Sequence, residues 1–139
     1  MAAPPSEKPS SSTESKKPLV PVLLVEDDAE WRKAIETLLE PHPYFQLVAS
    51  VDCFEDALDA FDAHHPQMAL LDWQIAGKQD GLAVGKALME RGLDAHTMIV
   101  VSGSPPASIP THPFRFVAKS RIACDLLQVM DECLLEMNR

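Results

Sequence analysis

Apolar and polar positions alternate in blocks along this chain. Val20–Val25 (VPVLLV) is a continuous apolar run too short for a helix, and it reads as a strand buried on both faces. Ala29–Glu40 follows with Trp31, Ile35, Leu38 and Leu39 at helical spacing, and Pro41 and Pro43 close it. Phe45–Ser50 (FQLVAS) predicts a second strand. Asp52, with Glu55 three residues on, fits an N-cap and capping box for a helix reaching about His64. Met68–Asp72 (MALLD) predicts a third strand, followed by a Gly-containing loop and a helix from about Gly81 to Arg91. Thr97–Ser102 predicts a fourth strand and Phe114–Lys119 a fifth, with Ser120 placed to cap a last helix over Arg121–Met137. Between the last two strands, Pro105, Pro106, Pro110 and Pro113 forbid a regular helix.

Strands and helices alternating at these lengths imply an α/β domain: a doubly wound parallel sheet with helices on both faces. Right-handed crossovers leave few topologies for it. In such a sheet the ligand site lies beyond the carboxyl ends of the strands, where the strand order switches. Those ends are polar in a particular way. Glu26, Asp27 and Asp28 follow the first strand, Asp72 ends the third, Ser102 the fourth and Lys119 the fifth. Converging carboxylates raise one another's pKa unless a cation compensates. A hard divalent ion with oxygen ligands would do so, and Mg²⁺ is the natural candidate. Helix capping explains any one of these acids, but not all the positions together.

Composition narrows the setting. The 139 residues fit one domain with a tail. Residues 1–18 hold Pro4, Pro5, Pro9 and Pro18, five serines and no aromatic or branched aliphatic residue, so they read as a disordered leader. The folded unit is then 19–139. The net charge is −9. Lys8, Lys16 and Lys17 against Glu7 and Glu14 give the leader +1, so the acidity belongs to the folded part. So acidic a surface argues against direct nucleic-acid or anionic-membrane binding. No apolar run approaches the ~20 residues of a membrane span, and the N-terminus lacks the apolar core of a secretory signal. Cys53, Cys124 and Cys133 show neither metal nor disulfide spacing, which suits a reducing, cytoplasmic compartment.

The strings VLLVEDD, MALLDWQIAGKQDGL, MIVVSGS and FRFVAKS, in this order and spacing, resemble the receiver domain of two-component response regulators. The resemblance runs from about Val20 to Met137 and implies a flavodoxin-like five-stranded sheet of order 2-1-3-4-5. It implies a phosphoprotein of a phosphorelay that takes a phosphoryl group from a histidine kinase or histidine phosphotransfer protein. It would use Mg²⁺ and signal through protein contacts with a downstream partner. Carried over by position, Asp72 is the acceptor. Glu26, Asp27, Asp72 and the Gln74 carbonyl hold the metal, and Lys119 pairs with a phosphoryl oxygen. Ser102 bonds another oxygen and moves inward, Gly103 N–H donates to the same group, and Phe116 takes the place of the aromatic switch. Trp73, next to the acceptor, guards the phosphoryl site against water or simply packs over the sheet edge. Such a chain catalyses its own phosphorylation and dephosphorylation but is chiefly a signalling protein.

Several positions depart from the family pattern. Ala76 stands where a proline usually follows the acceptor, and the loop from Asp72 to Gly81 looks one residue longer. Ser120 replaces the proline after the lysine, where a cis bond without proline would cost about 2.5–4 kcal/mol. If that bond is trans, Lys119 points differently. Ser102–Gly103 replaces a Thr/Ser–Ala pair, and the proline stretch leaves the helix between the last two strands shortened or missing. That helix normally belongs to the output and dimer face.

Two alternatives follow from these departures and from the family of similar sheets. A phosphorylation-independent pseudo-receiver would keep the fold as a binding module. A small phosphohydrolase would want a second Asp two residues after the nucleophile, where Gln74 stands. Elsewhere, His64 and His65 sit at a helix C-terminus, where their charge suits the dipole. Gly77 and Gly81 provide loop freedom rather than a phosphate cradle. The last helix carries Ile122, Leu126, Met130, Cys133 and Met137 on one stripe, with Leu127, Leu134 and Leu135 widening it. That width suits either a broad core or a homodimer surface.

Overall fold

The computed structural model describes residues 19–72, 81–103 and 114–137. Strand β1 (Val20–Val25) leads to helix α1 (Ala29–Leu39), β2 (Phe45–Val51), α2 (Phe54–His64) and β3 (Met68–Asp72). After these come α3 (Gly81–Glu90), β4 (Met98–Ser102), β5 (Arg115–Ala118) and α4 (Ile122–Met137). The five strands form one parallel sheet of order β2-β1-β3-β4-β5. The alternation of blocks implied the doubly wound parallel sheet, and the family resemblance its flavodoxin-like strand order.

The apolar runs explain why both faces are covered. Along β1, Val22 and Leu24 enter a core with Ile35 and Leu39 of α1 and Leu126 and Met130 of α4. Leu23 and Val25 enter the opposite core with Ala57 and Phe61 of α2 and Val84 and Leu88 of α3. In β3, Leu70 joins the first core while Ala69 and Leu71 join the second. A period of two therefore feeds two helical layers from one sheet. Truncating any of these buried leucines to alanine should cost about 2–5 kcal/mol.

Local signals held in some places and yielded in others. Asp28 caps α1, its Oδ1 accepting from the Glu30 and Trp31 N–H groups at 2.9 and 3.3 Å. The capping box read at Asp52 and Glu55 does not form. Cys53 is the N-cap of α2, with no side-chain bond to the helix end, because the chain leaves β2 one residue later than the apolar run suggested. Ser120 does not stand ahead of the last helix either. Lys119–Arg121 forms a 3₁₀ turn that opens it, so Ser120 lies inside that turn. Thr97 also leaves its strand for a 3₁₀ turn over Ala95–Thr97. Helix α2 ends at His65, which adopts the left-handed conformation at φ 49° and ψ 57°.

Most of the stripe on α4 packs on the core. Leu127, Leu134 and Met137 are partly buried against it, while Leu135 stays 67% exposed. Arg115, at the start of β5, ties this helix to the sheet through Glu136 at 2.6 Å and the His96 carbonyl at 3.1 Å. The leader 1–18, the loop 73–80 with Trp73, Gln74, Ala76 and Gly77, and the proline stretch 104–113 lie outside the described residues.

Candidate functional site

Register brings the polar strand ends to one edge. Val25 pairs with Leu71, Asp72 with Val101, and Ser102 with Ala118, so β1, β3, β4 and β5 finish level with one another. The residues that end or follow them must therefore meet. Glu26 extends β1 by one bond, its N–H donating to the Val51 carbonyl at 2.9 Å, and its side chain is fully buried. Asp72 is buried as the last residue of β3, and Asp27 is exposed at the mouth. One carboxylate oxygen from each of Glu26, Asp27 and Asp72 lies within 4.8 Å of the other two. Asp28, the third acid of the run, turns away to cap α1 and takes no part in this cluster.

Lys119 enters from the 3₁₀ turn after β5. Its Nζ lies 3.1 Å from Glu26 Oε1 and 3.5 Å from Asp72 Oδ1, with the side chain only 13% exposed. Among the described residues every peptide bond is trans, the one after Lys119 included, and the ammonium still reaches the carboxylates. The replacement of proline by Ser120 has not turned it away. Ser102 is buried at the end of β4, Gly103 is exposed beside it, and Phe116 is half-buried against the second core, opposite Val100.

The electrostatics are those of a site short of positive charge. Burial, followed by the hydrogen bond and negative charge of Glu26 and then by Asp27, pushes the Asp72 carboxyl from an ordinary 3.8 up to about 7; Lys119 opposes the shift. Glu26 Oε2 accepts from the Asp28 N–H at 3.2 Å and from Lys119 Nζ at 3.3 Å. Glu26 Oε1 is close enough to the ammonium for an ion pair but is not in line for a hydrogen bond, so this buried oxygen has no donor among the described residues. An unsatisfied buried carboxylate oxygen costs free energy unless something else coordinates it. Three hard oxygens so placed suit a divalent cation such as Mg²⁺.

Two neighbours belong to the site although the periodicity of α1 marked one of them only as core. The indole of Trp31 lies under the Lys119 ammonium, 5.2 Å from ring centroid to Nζ. Arg32 Nη1 donates to the Glu26 carbonyl at 3.0 Å. Their signal in the sequence is position: the first turn of a helix starting two residues after the acid pair must fold back over the strand ends.

Comparison with known proteins gives the family and the fold. The family described as the response regulator receiver domain matches residues 22–111. A protein-glutamate methylesterase/protein-glutamine glutaminase 2 of Nitratidesulfovibrio vulgaris is 32% identical over 71 residues, which are 51% of this chain and 19% of that protein. The aligned part thus spans about a fifth of that relative's length. Among solved structures, the response regulator domain of Thermotoga maritima CheB has a TM-score of 0.73 at 18% identity, covering 85% of this chain and 98% of that one. The PhyR response regulator REC domain of Erythrobacter litoralis also gives 0.73, at 17% identity, covering 84% and 91%. At such identities these structures speak for the fold alone. The fold, the order of its strands and the family match over most of the sheet agree, and the chain belongs to the receiver domains of two-component response regulators.

Proposed function

We propose that Asp72 accepts a phosphoryl group from the phosphohistidine of a histidine kinase or histidine phosphotransfer protein. The observation that carries this reading is the cluster of buried Glu26 and Asp72 with exposed Asp27, and Lys119 reaching into it. An Asp72 oxygen attacks phosphorus, the P–N bond to the histidine breaks, and its electron pair stays with the imidazole. Glu26, Asp27 and Asp72 would hold Mg²⁺, with the Gln74 carbonyl as a further ligand. When bound, the ion neutralises charge on the phosphoryl oxygens. Lys119 supplies the second positive charge, moving from Glu26 to a phosphoryl oxygen. Ser102 and the Gly103 N–H hold the remaining oxygens, and Trp73 shields the new acyl phosphate from water. This is catalysis by placement and charge more than by covalent participation.

The signal then leaves through Ser102 and Phe116 to a downstream protein. The folded unit is 19–139, residues 1–18 are a leader, and the setting is the cytoplasm. Intact-mass measurement after incubation with Mg²⁺ and a small acyl phosphate tests the proposal. It predicts one added phosphoryl group, lost in Asp72→Asn and on chelation of the metal. A chain that gains none while binding its partners would be a pseudo-receiver.

A further inference from the structure

We infer that Trp31 is a positioning residue for Lys119, its indole face holding the ammonium over the acidic pocket while its partner changes during phosphoryl transfer. The inference rests on the phosphoryl-transfer reading given above. Lysine is a long side chain whose ordering costs about 1.5–2 kcal/mol of rotamer entropy. Here it springs from a 3₁₀ turn whose next residues, Ser120 and Arg121, are exposed. The charges of Glu26 and Asp72 attract its head but give it little direction. A rigid ring 5.2 Å from Nζ supplies the missing wall, within the ~6 Å over which an aromatic face attracts a cation.

The helical turn that carries the ring is well anchored. Asp28 Oδ1 accepts from the Trp31 backbone N–H, and Arg32 ties the same turn to the Glu26 carbonyl. Trp31 is half-buried and packs against the first core. It also suits a cation that must change partners. A carboxylate in its place would compete with the phosphoryl group for the ammonium, whereas an indole face attracts it without a hydrogen bond. Lys119 can therefore leave Glu26 for a phosphoryl oxygen and remain held.

The test uses the full chain with Trp31→Leu and Trp31→Phe. In proton spectra, the Lys119 methylene protons next to Nζ should lie upfield of those of exposed lysines. They should return to the ordinary position in Trp31→Leu and lie between in Trp31→Phe. With Mg²⁺ and a small acyl phosphate, Trp31→Leu should lower the maximal rate of phosphoryl uptake about three- to tenfold, with the half-saturating donor concentration unchanged. Trp31→Phe should recover most of that rate. Unmoved Lys119 protons in Trp31→Leu, or uptake at the wild-type rate by a folded Trp31→Leu, would overturn the inference. If the wild type itself takes up no phosphoryl group, the phosphoryl-transfer reading fails, and the spectra alone decide whether Trp31 holds Lys119.

Discussion

Replacing Asp72 by asparagine should stabilise the metal-free protein, and the gain should depend on pH. Burial is the first reason that this carboxylate is unfavourable, and its acidic neighbours are the second. At separations of 4.8 Å or less, and an effective dielectric near 20, Glu26 and Asp27 each repel Asp72 by at least about 3.5 kcal/mol. Lys119 at 3.5 Å offsets about 5 kcal/mol of this, leaving a net penalty of at least about 2 kcal/mol before desolvation. Separately, a carboxyl displaced from 3.8 to about 7 carries a penalty of about 4 kcal/mol when ionised, desolvation included. Asparagine keeps the shape and the buried polar group, so we expect about 1–3 kcal/mol of the penalty to be relieved. The thermal midpoint should rise by roughly 4–12 °C.

Unfolded Asp72 releases its proton near 3.8, whereas the folded form holds it to about 7. Between those values the folded state binds more protons, so this residue's contribution to stability falls as pH rises and levels off above about 7. The advantage of Asp72→Asn should therefore be near zero at about pH 4 and full at about pH 8. Urea unfolding of both proteins at both pH values, in the presence of a chelator, measures it. A wild type as stable as the variant at the higher pH, or an equal difference at both, would refute the charge argument. If Mg²⁺ binds as proposed, saturating Mg²⁺ at the higher pH should stabilise the wild type more than Asp72→Asn, because binding to the folded form adds RT ln(1 + [L]/Kd).

Further expectations concern the frame. His65 holds a left-handed conformation that costs a non-glycine residue about 1–2 kcal/mol, so His65→Gly should raise stability by about 0.5–1 kcal/mol in urea unfolding. A Cβ on Gly85 would lie 2.8 Å from the Phe114 ring and 3.4 Å from Leu71 Cδ1. Gly85→Ala should thus cost about 1–2 kcal/mol despite its better helix propensity, and Phe114→Leu in the same chain should recover part of it. Deleting residues 1–18 should leave the thermal midpoint and phosphoryl uptake unchanged; a fall of several degrees would show that the leader packs on the domain.

The sheet was legible in the sequence because its inner strands are short runs apolar on both faces, set between helical blocks, as Val20–Val25 and Met68–Asp72 illustrate. The cluster of Glu26, Asp27, Asp72 and Lys119 was legible because strand ends in a parallel sheet must gather at one edge. Local chemistry was less decisive. The register of β2 carries the chain one residue past its apolar run, which takes Asp52 out of capping position. The fate of the run Glu26–Asp28 depended on geometry: two acids face the site and the third caps a helix. Trp31 looked like core because its spacing is that of Ile35 and Leu38, and only the placement of Lys119 gives it a second role.

The central claim is that Asp72 is the phosphoryl acceptor, and the chemistry of the bond offers the most direct test. An acyl phosphate reacts with hydroxylamine to leave a hydroxamate on the carboxyl that carried it. The chain should be incubated with Mg²⁺ and a small acyl phosphate, treated with hydroxylamine and mapped by peptide mass spectrometry. The account predicts a hydroxamate on Asp72 alone, absent when Mg²⁺ is chelated. A phosphoryl group found instead on His64, His65 or another carboxylate, or none at all on a folded chain, would contradict it.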